Sequence, residues 1–300
     1  MISTYFRDAS PTVKISLILL FCLAGMLLFM VIGSIIVFSL YGSAALSYIS
    51  SPNPSVPEAL ATLKILQICQ GIGMFIVPGF ILAKFFSAQP VQYLGLKKVN
   101  NNLVALSILT VIVAFPAINF LASLNELVPM PQWMIDMEEK AAVLTKAFMA
   151  VDSIGGLLLN IFMIAVLPAI GEELIFRGLF QRIFTDITGK IFWGVIISAI
   201  LFSAMHMQFQ GFLPRFALGV MLGYLYVWSG SIWLSIIAHF INNAIAIVGY
   251  ALIYKGNIPA ETENVGGLSV MWPLGLISVI LVIILLLKIK SEGLRIGIFK

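Results

Sequence analysis

The chain is dominated by apolar runs of membrane-spanning length, parted by short stretches of loop chemistry. A hydrocarbon layer about 30 Å thick needs about 20 apolar residues at a rise of 1.5 Å each. On that ruler about eight spans are expected, over residues 13–40, 60–86, 102–123, 154–186, 190–208, 212–229, 232–254 and 267–289. The breaks "SSPNPSVPE", "SAQPVQYLGLKKVNN" and "GNIPAETENVGG" are rich in residues that turn a chain rather than continue a helix. The expected fold class is therefore an all-α polytopic membrane protein, one integral membrane domain over residues 1–300.

Composition agrees. Of 300 residues 61% are hydrophobic and only 10% charged, against roughly 25% charged in an ordinary soluble domain, and the mean hydropathy is +1.08. A net charge of +4 gives no support to a nucleic-acid partner. Cys22 and Cys69 both fall in apolar segments and read as small hydrophobes, neither a disulfide nor a metal pair. The first apolar run is too long for the core of a signal peptide and reads as a retained helix. "MIDMEEKAAVLTKAF", residues 134–148, is too charged to span and is expected as a helix at the interface. Counting Lys and Arg on alternate sides of eight spans gives twelve against five. Positive residues are retained on the cytoplasmic side, so both termini are expected in the cytoplasm and the protein in the plasma membrane. Lys64 and Arg215 fall among the five on the outer side. No internal repeat marks a transporter built from two related halves.

Against this background "AIGEELIFRGLF", residues 169–180, stands out. A charged side chain at the centre of a spanning helix costs about 2.5 to 3.5 kcal/mol on insertion scales, and three lie within six residues. Glu173 and Arg177 are four apart on one helix face, the acid toward the N-terminus, which suits an ion pair. Glu172 is turned about 100° away and has to look to another helix. The chain's two histidines both lie in apolar segments: His206 ends "FSAMH", four residues after Phe202, and His239 begins "HFINN", on one face with Asn243. Measured from inner ends at Asp186, Lys190 and Ser231, Glu172 lies about 21 Å deep, His206 about 24 Å, His239 about 12 Å and Asn243 about 18 Å at 1.5 Å per residue. A common site is feasible if the fourth span is one long helix from 154 to 186, with Pro168 kinking it.

A carboxylate and a histidine can take a proton from water, and a second histidine with an amide can donate to an oxyanion. Those are the parts for peptide hydrolysis without a covalent intermediate. Two histidines and a glutamate, here Glu172, His206 and His239, are also a zinc ligand set, so zinc and a metal-free mechanism both stand, with a slight lean to Glu172 as direct base. Glu173 and Arg177 are expected to be structural. Gln67, Gln70, Asn119 and Asn160 are expected to hold helices together, Asn242 to face away from Asn243, Met205 and Met207 to pack, and Gln208 and Gln210 to lie in an outer loop. No H-E-x-x-H helix, no membrane serine in a GxSG arrangement and no pair of membrane aspartates is present, Asp152 and Asp186 lying at span edges.

"EELIFR" (Glu172 to Arg177), "FSAMH" (Phe202 to His206) and "HFINN" (His239 to Asn243) resemble, in order, the motifs EExxxR, FxxxH and HxxxN of the CAAX prenyl protease and bacteriocin-processing family, also called the Abi family. "YLGLKK", residues 93–98, resembles that family's loop after the second span. The resemblance covers a core of about 150–254 and implies an eight-helix fold with its site in spans four to seven. It implies that Glu172 activates water with His206, that His239 and Asn243 stabilise the oxyanion, and that Glu173, Arg177 and Phe202 support them. The expected function is an intramembrane endopeptidase acting on a peptide or membrane-protein substrate. Two rivals are a proton-coupled transporter and a non-catalytic immunity or scaffold protein with a protease-like fold.

Overall fold

The computed structural model of the protein describes residues 6–295. The chain is helical throughout its apolar runs. Helices α1 (Pro11–Tyr41), α2 (Pro57–Phe86), α3 (Asn101–Asn125), α5 (Ile154–Thr188), α7 (Phe212–Ser229), α8 (Ile232–Tyr254) and α9 (Trp272–Arg295) are long and apolar enough to cross a membrane. Helix α4 (Gln132–Met149) is the amphipathic segment expected at the interface. The eighth expected span, residues 190–208, is shorter than the sequence suggests: α6 covers Ile191–Ala204, 14 residues, or about 21 Å at 1.5 Å each, and His206 falls beyond its end. The protein is a multi-pass membrane protein.

Local chemistry sets the ends. The Ser10 side chain caps α1 on the Val13 amide, with Pro11 in the first turn, where its missing N–H is no loss. Gly189 and Gly230 close α5 and α7 at φ 65° and 62°, a left-handed conformation that glycine adopts without steric penalty.

Two groups of loops gather at opposite ends. At one end Gly95 O accepts from the Ile232 amide at 2.9 Å, Lys97 O accepts from Ser231 Oγ, and Arg182 bonds Tyr93 O, so the "YLGLKK" loop clamps α5, α7 and α8 together. At the other end Asn125 bonds Phe209 O and the Leu213 amide at 2.9 and 2.7 Å, Glu138 of α4 accepts from Gln210 N at 2.9 Å, and Asn119 reaches Glu263 O and Val265 O.

Lipid gives apolar helices little reason to associate, so close backbone approach and polar links carry the packing. A Cβ on Gly25 would stand 2.1 Å from Gly73 O, which shows how closely α1 lies on α2. Lys64 donates to Asn160 Oδ1 at 3.0 Å and Asn160 Nδ2 to Phe148 O at 2.6 Å, tying α2, α5 and α4. Lys64 is thus a buried group between helices, not the outer-loop charge that a count by sides assigns it.

Helix α5 continues for 35 residues, as a common site requires. It is not a uniform α-helix: Ile161–Val166 and Leu174–Phe180 are π-helical, as is Ile72–Ile76 in the facing α2. Such stretches widen the turn and frequently lie at functional sites; here they flank Glu172 and Glu173 on both sides.

Candidate active site

Pro168 shapes the site at a distance of one turn. Lacking an N–H, it cannot bond the carbonyl four residues back, which is Ile164 O. Asn243 Nδ2 of α8 donates to that oxygen at 3.1 Å. The interruption expected at Pro168 therefore fixes Asn243 against α5. Asn242 Nδ2 donates to Asn243 Oδ1 at 3.1 Å, so Asn242 does not face away; both amides line the same cavity.

Glu173 and Arg177 pair as expected, Nη1 to Oε1 at 2.8 Å, at 0% and 1% exposure. Glu173 is not reserved for that pair. The same Oε1 accepts from His239 Nδ1 at 3.0 Å, so Glu173 joins α5 to α8 and is the residue that orients His239. Sequence spacing reveals the same-helix arginine and is silent about the other helix. Arg177 Nη2 donates to Gly219 O at 3.1 Å, and its guanidinium lies 4.5 Å over the Phe202 ring. Gly219 makes this possible by letting α7 approach α6: a Cβ there would be 3.0 Å from that of Ala199.

Phe202 is the hub of the second motif. Its ring meets His206 and His239 edge-on, centroids 5.2 and 5.7 Å away. Its carbonyl accepts from His206 Nδ1 at 2.8 Å. That carbonyl is available because α6 has ended: the His206 amide bonds Ser203 O at 3.3 Å instead. The turn continues through Met207 at φ 51°, uncommon for a residue with a side chain. Met205 and Met207 are 41% and 52% exposed and do not pack as expected.

These partners decide the tautomers. A carbonyl and a carboxylate only accept, so both imidazoles spend Nδ1–H on orientation and present Nε2 to the cavity. His239 Nε2 lies 3.9 Å from Glu172 Oε2, too far for a direct hydrogen bond. That oxygen is buried without a hydrogen-bond partner, although the Glu172 side chain as a whole is 12% exposed. Glu172, His206, His239 and Asn243 all face one cavity of about 380 Å³, with Phe202 in its wall. No direct hydrogen bond joins Glu172 to His206. Among the described residues no group of three or more His, Cys, Asp or Glu side chains is placed to hold a metal ion.

Two cavity residues escaped the sequence reading. Gln67, expected only to hold helices together, borders this cavity and a second one of about 200 Å³ on the other side of Glu172. Arg215, assigned to the outer side by counting charges, lines the cavity wall. In each case the signal was a polar residue within an apolar helix. The cavity is bordered by Thr145 and Met149 of α4, at the end that carries the 205–211 turn.

Residues 154–245 match the family described as type II CAAX prenyl endopeptidase, Rce1-like. A protein of Bacillus subtilis (strain 168) described as uncharacterized protein YpbD is 30% identical over 90 residues, 29% of this chain and 43% of that protein. The match thus spans less than half the length of that relative. No solved structure matches. The matched segment contains Glu172, His206, His239 and Asn243 together with the residues that orient them, and over that segment the chain is similar to the Rce1-like CAAX prenyl endopeptidase family.

Proposed function

We propose that the protein is an intramembrane endopeptidase that hydrolyses a peptide bond with water activated by Glu172. One observation carries this reading: a buried carboxylate oxygen without a partner and two oriented imidazoles face the same cavity from different helices. The Glu172 carboxylate takes a proton from water while His206 Nε2 accepts the second water hydrogen, and the water oxygen adds to the scissile carbonyl. Asn243 Nδ2 keeps one N–H beyond its bond to Ile164 O and donates it to the oxyanion. His239 donates beside it from Nε2. Because its Nδ1–H is held by Glu173, that donation needs the doubly protonated ring. Two carboxylates, Glu172 and Glu173, then face one guanidinium, that of Arg177, and one imidazolium, so these four groups sum to zero and Arg215 in the cavity wall adds one positive charge. As the intermediate collapses, the proton on Glu172 passes to the leaving nitrogen, giving a carboxylic acid and an amine. The acid's proton, the water hydrogen bonded to His206 Nε2, then moves to the amine, so the products leave as a carboxylate and an ammonium.

Positive residues support an orientation with both termini in the cytoplasm of a plasma membrane. With Lys64 and Arg215 of the outer set and Arg177 of the inner set inside the protein, the count becomes eleven against three. In that orientation the end of the cavity bordered by α4 faces away from the cytoplasm.

The test is a comparison of membrane and secreted peptides from wild-type and Glu172→Gln cells, with purified protein assayed on the fragments that change. Peptides that accumulate uncut only in the variant, and are cut by the pure enzyme, are the expected result. Wild-type turnover by purified Glu172→Gln protein would sink the mechanism. Metal analysis of the active preparation with a chelator challenge tests the zinc alternative: activity that falls with chelation and returns with zinc replaces the metal-free scheme.

A further inference from the structure

Arg215 is the cation of the cavity wall to which the hydrolytic steps give no task. It stands in the first turn of α7, and its guanidinium is held by neutral acceptors: Nη1 donates to Gln208 O at 3.2 Å and Nη2 to Gln208 Oε1. A carboxylate is what usually answers a guanidinium. Here the acids that act on it electrostatically are Glu138 and Glu172, and the ion pairs within 4 Å among the described residues do not include it. Glu138 instead accepts from Gln210 N, and Glu172 lies beside His239. Two of five N–H groups are spent on orientation, and the others are left for whatever enters the cavity.

The place is also shaped for this side chain. A Cβ on Gly211 would stand 2.3 Å from Nη1 and 2.8 Å from Cζ of Arg215, so the guanidinium lies in the space that a side chain at 211 would fill. Gly211 has φ −98° and ψ 8°, which other residues adopt freely; its glycine is explained by the arginine, not by the backbone. A cation oriented in this way inside an apolar protein is a functional residue by default.

We infer that Arg215 is a specificity residue that binds a carboxylate of the substrate next to the scissile bond. That the carboxylate belongs to a peptide rests on the endopeptidase reading; the anion subsite does not. A planar guanidinium matches a carboxylate through two parallel bonds. A substrate anion near Glu172 meets like charge there, and the Arg177 guanidinium and the His239 ring are already engaged by Glu173, which leaves Arg215 to answer it. The carboxylate comes either from a free C-terminus or from an Asp or Glu side chain.

Binding separates the two sources and needs no turnover. Glu172→Gln protein in lipid nanodiscs is titrated with N-dodecanoyl tetra-alanine as the free acid, as its C-terminal amide, and as an amide carrying one glutamate. At least one carboxylate probe should bind about tenfold or more tighter than the plain amide, since a bond to a charged group is worth roughly that factor. The preferred probe identifies the source. In an added Arg215→Met variant the preference should vanish. In Gly211→Ala it should shrink, because the guanidinium is displaced while its charge remains; Arg215→Lys should recover part of it. Equal binding of all probes, no measurable binding of any, or a preference that survives Arg215→Met overturns the inference. If Arg215 only balances the charge of Glu172, its loss changes all probes alike, and the inference falls. Wild-type cleavage is read separately: cleavage indifferent to Arg215 leaves the endopeptidase and removes the subsite, and carboxylate-selective binding without cleavage does the reverse.

Discussion

Helices α1 and α5 are both long and apolar, and they are built in opposite ways. Helix α1 runs 31 residues with only Ile18, Cys22, Gly33 and Val37 buried, and most of its leucines and isoleucines face outward. It touches the rest of the protein through close packing such as Gly25 against Gly73. Helix α5 is interrupted by two π-helical stretches and makes polar links to five neighbouring helices: Lys64 of α2, Phe148 of α4, Ser198 of α6, Gly219 of α7, and His239 and Asn243 of α8. Lipid is as apolar as leucine, so an apolar face gives a helix a depth and no particular partner. Polar groups withdrawn from water must find partners, and they fix rotation and register. In α5 the groups that hold the helix in place are thus also those proposed to serve its chemistry.

The sharpest break in this contrast is Glu172→Gln. Removing a general base should lower kcat by about 10²- to 10⁴-fold while the purified protein stays monodisperse, because Glu172 Oε2 has no partner to lose. Glu173→Gln should act on both properties. It leaves Arg177 buried beside a neutral group and releases His239, so stability should fall by about 3 to 5 kcal/mol and kcat by about 10- to 100-fold. Thermal retention of the monodisperse peak gives the first and steady-state kinetics the second. A Glu173→Gln protein with unchanged kcat would show that His239 does not depend on it.

Asn243→Ala should remove about 2.7 to 4 kcal/mol of transition-state stabilisation if its amide serves the oxyanion, read as a loss of kcat with KM little changed. Pro168→Ala refines this. An alanine can give Ile164 O a backbone partner, so Asn243 is released from α5 and kcat falls without any change at the reacting groups. An unaltered rate in Pro168→Ala would show that Asn243 is held in place by other means.

On the α1 side, Gly73→Ala places a Cβ 2.4 Å from Gly25 O and should destabilise the helix pair by about 1 to 3 kcal/mol, read by thermal aggregation in detergent. Leu27→Ala is the smallest change. Leu27 is 56% exposed on a face that meets lipid, and both stability and kcat should stay within about 0.5 kcal/mol of the parent. A large effect at Leu27 would mean that this face is covered by protein and not by lipid.

The sequence alone determined most of the long helices and the polar residues that gather at one cavity. Apolar runs of this length have to satisfy their own backbone in lipid, so seven of the eight expected spans appear as long helices. The charges and histidines inside those runs stood out because each is costly there, and Glu172, His206, His239 and Asn243 do face one cavity. Only the tertiary structure decided how the work divides. Glu173 and Arg177 were visible as a pair because four residues make one helical turn; that His239 shares Glu173 depends on where α8 lies, which no periodicity encodes. The length of α6, which frees the Phe202 carbonyl for His206, turned on where the helix stops and not on where the apolar run stops. Arg215 read as an outer charge because counting by sides treats every cation near a span end as a loop residue, whereas Gly211 and Gln208 hold it in the cavity wall. Hydrophobic length is a property of one segment, but the partner of a buried polar group belongs to two segments at once, and only the folded chain brings them together.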